Sequence, residues 1–158
     1  MKMKNKNKNI ISNKTRKIRK KSNSNSTTQT FEKEITLIFL EVLIMIKLFH
    51  WKTHSYATHK ATDEFYTKFN VNMDRFIEVL LGKTNSRVDL TMQKCLPLND
   101  FDFNNVEGLK KKIFEFKNYL VDLDDNIFMK NMSNADLFTI RDEILADLNQ
   151  LLYLLSFH

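Results

Sequence analysis

Three of the chain's four histidines, His50, His54 and His59, fall within ten residues, and carboxylates follow at helical spacings. Asp63 comes four positions after His59, Asp74 eleven positions after Asp63, and Glu78 four positions after Asp74. Imidazole nitrogen mixed with carboxylate oxygen suits iron, manganese or zinc. On a helical wheel with His59 at zero, Asp63 falls at about 40°, Asp74 at about 60° and Glu78 at about 100°. All four share a face. Yet fifteen positions separate His59 from Asp74, roughly 22 Å of helix. Metal–ligand bonds are only about 2 Å long, so one ion cannot bind both ends within one chain.

Two solutions follow. Either the pairs act separately, or a second chain lies antiparallel and a two-fold axis brings His59 and Asp63 of one copy to Asp74 and Glu78 of the other. An isologous contact repeats every interaction, so such a dimer holds two identical sites. His50, at the end of the preceding helix, completes the first half of each, with His54 as the alternative ligand.

The elements that must position these residues are helices. The chain has 158 residues, 42% hydrophobic, with two Gly, one Pro and thirteen Phe. So few breakers argue for an all-α fold, and the length fits one domain with a tail. Residues from Phe31 to about Trp51 are almost continuously apolar. The uninterrupted run is about half the roughly 20 residues a membrane span needs, and Glu41 and Lys47 break it. A helix apolar nearly all round is instead buried on two sides, by its own bundle and by a neighbouring subunit.

A second helix is expected over 56–82, stopped at Gly82, followed by a long connection through Pro97. Val106, Leu109, Ile113, Phe116, Leu120 and Leu123 alternate spacings of 3 and 4, the seam of a third helix. A break follows, in which Ser133 and Asp136 resemble a capping box. A fourth helix carries Leu137, Ile140, Ile144, Leu148, Leu151 and Leu155 down one face. Four amphipathic helices with one long connection make a four-helix bundle, placed at residues 31–158. The remaining Met and Phe residues read as core filling, and the single Cys95 leaves no internal disulfide framework.

Net charge is +6, but it is unevenly distributed. Residues 1–21 hold Lys2, Lys4, Lys6, Lys8, Lys14, Arg16, Lys17, Arg19, Lys20 and Lys21 and no acid. The other 15 basic residues face all 19 acidic ones, leaving −4. Residues 1–30 thus read as a disordered basic arm on an acidic body. The arm lacks an apolar core and is not a secretory signal. Ten cations attract nucleic-acid phosphates without base preference, in a salt-dependent way. The bland reading of the arm is a solubilising tail.

The stretch FHWKTHSYATHKATDEFYTKFNVNMDRFIEVLLG, residues 49–82, resembles the Dps proteins, the mini-ferritins of the ferritin-like superfamily. Their signature is His-Trp, then His-x3-Asp, then ten residues, then Asp-x3-Glu, carried here by His50-Trp51, His59/Asp63 and Asp74/Glu78. The resemblance implies a ferritin-like four-helix bundle in a two-fold dimer or a shell of twelve subunits. It implies oxidation of Fe(II), usually by hydrogen peroxide, and storage of the ferric mineral. Iron would bind His50, His59 and Asp63 of one chain with Asp74 and Glu78 of its partner, Glu78 bridging and Trp51 alongside. It also implies DNA binding through the lysine-rich arm. The expected location is the cytoplasm or nucleoid, or the nucleus or a virion for a eukaryotic or viral source.

The chain departs from that pattern in a His50-to-His59 interval about three residues shorter than usual, and in a shorter body. It has no Glu-x-x-His, the motif of the intrasubunit di-iron site of larger ferritins. Two other classes stay open. One is a non-enzymatic nucleic-acid packaging or structural protein built on a dimeric bundle. The other is a structural zinc site at His50, His54, His59 and Asp63.

Overall fold

The computed structural model describes the backbone of residues 6–93, 95–96, 105–130 and 133–157, with side chains from Thr27 onward. Helix α1 spans Lys6–Lys52, α2 Tyr56–Thr84, α3 Val106–Asp122, the single turn α4 Ile127–Lys130, and α5 Ala135–Leu154. No strand occurs among the described residues. The all-α helical bundle expected from composition is therefore what the chain forms.

Two local expectations change, at Gly82 and at Ser133. The backbone helix α1 begins at Lys6, inside the segment read as disordered. No Gly or Pro interrupts residues 1–81, and once the apolar half has nucleated a helix, each further residue adds cheaply. Residues 1–5 and the side chains of residues 1–26 lie outside the described residues. Gly82 does not stop α2, which runs to Thr84 and ends on Asn85 in the left-handed region at φ 50°. The capping box at Ser133 is not formed: Asn134 is the N-cap of α5 and makes no side-chain cap bond. Asp136 instead accepts from the Leu137 amide and pairs with Lys83.

Cross-helix contacts fix the topology. Phe39 meets Phe69, and His50 meets His59, so α1 and α2 are antiparallel. Lys68, Arg75 and Lys83 on α2 meet Asp147, Glu143 and Asp136 on α5, a second antiparallel pair. Lys117 with Asn149, and Asp124 with Arg141, set α3 antiparallel to α5. Consequently α2 and α3 run parallel, and the chain between Asn85 and Asn105 returns from one end of the bundle to the other. Its first part is tied to α1, where Ser86 donates to Glu32.

The core is aromatic at mid-height. Phe39, fully buried, sets its ring edge-on to Phe69, Phe76 and Phe116 at 5.7, 5.3 and 6.0 Å. Such pairs add about 0.5–1.5 kcal/mol each beyond area burial. Five of the six seam residues of α3 are buried, Val106 being half-buried, and all six of the α5 face are buried. On α1 the same ridge, Phe31, Ile35, Phe39, Val42, Ile46 and Phe49, faces the core, while Leu37, Leu40, Ile44 and Leu48 on the opposite face are half-buried. No described helix is long and apolar enough to cross a membrane.

Candidate metal centre

The centre forms where α1 hands over to α2. Residues 53–55 make the turn, and Ser55 caps α2 by accepting from the Thr58 amide. This tight return lays His50 against His59 as a stacked pair, with ring centroids 3.9 Å apart and planes 24° from parallel. Each ring then bonds the other's backbone. His50 Nδ1 lies 3.0 Å from the His59 carbonyl oxygen, and His59 Nδ1 lies 3.0 Å from the His50 carbonyl oxygen. A carbonyl only accepts, so both Nδ1 atoms carry the proton. Both Nε2 atoms of the neutral rings are left with lone pairs. A backbone-anchored Nδ1–H with an open Nε2 is the usual preparation of a metal-binding histidine.

Asp63 is the nearest carboxylate. Its Oδ1 lies 3.8 Å from His50 Nε2, too far for a hydrogen bond. Two ligand atoms each about 2 Å from one ion sit roughly 3–4 Å apart, so this gap fits a shared ion. His50 is 7% exposed, whereas the Asp63 side chain is 46% exposed. The pair therefore offers a buried nitrogen and an accessible oxygen.

The stack also limits what the histidines can do together. Ring lone pairs lie in the ring planes, and near-parallel rings with centroids 3.9 Å apart do not converge on one ion. Among the described residues no three His, Cys, Asp or Glu side chains gather closely enough to hold a single ion.

The remaining sequence candidates are accounted for plainly. Asp74 and Glu78 are exposed on α2, separated from Asp63 by the helix length that the spacing requires. His54 is exposed in the turn and Trp51 is 67% exposed beside His50. The arm's Lys and Arg side chains lie outside the described residues.

Two supporting groups were not apparent from the sequence. Thr62 is fully buried and donates to the Thr58 and His59 carbonyls, with its hydroxyl 3.4 Å from His50 Nδ1. Its signal was a threonine on the apolar face three residues after His59. Lys47 extends over Tyr66, 4.3 Å from the ring centre, and near Trp51, 5.8 Å away. An open groove of about 590 Å³ flanks Asp63, between the first turns of α2 and the end of α5 at Leu154 and Phe157.

These features define a class: an all-helical bundle with paired histidines and a carboxylate at an interhelical turn. The chain belongs to the family described as a family of unknown function (DUF5856), which matches residues 50–155. The matched segment begins at His50 and contains both halves of the candidate centre. No curated protein and no solved structure matches the chain.

Proposed function

We propose that the protein oxidises and sequesters iron in the manner of Dps, with Fe(II) as substrate, at sites completed between two chains. The observation that carries this reading is the reciprocal His50–His59 clasp, with Asp63 beside it. It leaves the Nε2 of each of two neighbouring imidazoles without a hydrogen-bond partner from the clasp. Asp74 and Glu78 of a two-fold partner supply the remaining oxygens. Hard carboxylate oxygens favour ferric over ferrous iron, which lowers the potential and eases oxidation. Two ferrous ions lose one electron each, and one peroxide takes both with two protons to become two waters. Hydroxyl radical release is thereby avoided.

The parallel α2 and α3, joined by an end-to-end connection, support a ferritin-like reading of the bundle, since one long crossover characterises those folds. The basic arm supports non-specific binding to DNA and a nucleoid or other nucleic-acid-rich location. The test is anaerobic loading with Fe(II) followed by a peroxide challenge, read as the ferric absorbance. Asp74→Ala/Glu78→Ala should slow oxidation at least tenfold while leaving the helical content unchanged. Equal rates in the variant and the natural chain would overturn the assignment. Metal analysis after chelator-free purification separates iron from a structural zinc ion.

A further inference from the structure

The clasp between His50 and His59 is reciprocal in its backbone bonds but not in its surroundings. His50 is buried, whereas His59 is half-buried. A third group touches only one of the two rings at Nδ1. Thr62, fully buried on α2, sets its hydroxyl oxygen 3.4 Å from His50 Nδ1. Among the described residues, His59 Nδ1 meets only the His50 carbonyl.

Helix geometry dictates how that hydroxyl is turned. A threonine inside a helix bonds a carbonyl about one turn back. Thr62 shares its single proton between the Thr58 and His59 carbonyls, at 2.8 and 3.1 Å. With the proton committed, its oxygen offers lone pairs to His50. The His50 Nδ1–H then lies between two acceptors, the His59 carbonyl at 3.0 Å and this hydroxyl. His50 Nδ1, the His59 carbonyl oxygen and Thr62 Oγ1 thus close a buried triangle. A ring already held from two sides loses little further freedom when its Nε2 takes a ligand. Acceptors behind Nδ1–H also make Nε2 a better donor to a metal, and on that side Asp63 stands at 3.8 Å.

We infer that Thr62 is a positioning residue, which makes His50 rather than His59 the primary nitrogen ligand of the candidate centre. The inference rests on the metal-binding reading proposed above and adds an order to it. His50 takes metal before His59, and the hydroxyl of Thr62 sets that order.

Zinc(II), which has no redox chemistry, tests this on the full chain carrying isotope-labelled histidine. Nuclear magnetic resonance of the imidazole nitrogens follows each ring separately. In the natural chain zinc should shift His50 at a lower concentration than His59. Thr62→Val keeps the branched shape and removes the hydroxyl. It should weaken zinc at His50 about tenfold, as loss of a group behind a metal-bound histidine does, while His59 keeps its midpoint. Without metal, the His50 Nδ1 proton should exchange with water faster in that variant, and the His59 proton should not. Thr62→Ser should match the natural chain in both measurements, with circular dichroism checking that each variant folds. Lost packing alone would move both histidines, or leave the Ser variant as weak as the Val variant. Either result, or zinc reaching His59 first, or no zinc shift at His50, would overturn the inference. Iron oxidation by the natural chain is measured in parallel. The expected Thr62 effect without iron oxidation removes the ferroxidase reading alone. Iron oxidation without a Thr62 effect removes this inference alone.

Discussion

His50 shows how much a single turn decides. The sequence interval from His50 to His59 is compatible with many placements, and helical spacing alone says nothing of ring orientation. The three-residue turn 53–55 settles it by bringing each ring to the other's carbonyl. Tautomer and open nitrogen follow from those two hydrogen bonds, and neither is legible without them. His54, one turn-residue away, is left exposed. A different residue-scale case is Asp147, where α5 meets α2. Burial pushes its carboxyl above the ordinary range, Lys68 opposes the shift, and Glu143 adds to it. A raised folded-state value means the stabilisation is present below the usual carboxylate range and is lost as pH rises through the shifted value. Asp147→Asn removes that loss. Its stability relative to the natural chain should therefore climb as pH rises above the usual carboxylate range of about 4, as read from urea unfolding midpoints. A constant or falling difference would refute this account of the site.

At the scale of elements, legibility followed periodicity. The α3 and α5 faces were readable because a seam repeated over five intervals admits one helical phase, and the buried residues match it. The ends were harder. Gly82 is a poor helix former but sits in α2 with no left-handed backbone, and α2 stops instead where a residue adopts that conformation, a common way for a helix to end. Asn85 does so, and the Ser86 amide returns to the Leu81 carbonyl. Asparagine tolerates this geometry better than most residues, and glycine best. Asn85→Gly should hold stability within about 0.5 kcal/mol, whereas Asn85→Val should cost about 1–2 kcal/mol. Thermal unfolding of the three chains decides it, and an equal loss in both variants would show that the side chain, not the backbone, matters. The start of α1 at Lys6 lies within the basic arm. Composition reports that the arm has little to bury, but it does not report that the arm is attached to a helix already formed.

For the whole molecule, charge and connectivity divide the labour. The family match covers residues 50–155, and all the basic residues of the arm lie before it. The arm therefore lies outside the segment that holds both halves of the candidate site. Ten cations within 21 residues set an upper bound on the phosphates the arm can neutralise. The logarithm of the DNA association constant should fall with the logarithm of salt concentration with a slope no steeper than about −9 per arm. A chain lacking residues 1–21 should lose the gel shift at low salt and keep its rate of iron oxidation. An oligomer sharpens the contrast, because several arms on one particle multiply effective concentration. DNA binding that survives removal of the arm would place the contact on the body instead. With a net charge of −4 outside residues 1–21, the body opposes that placement.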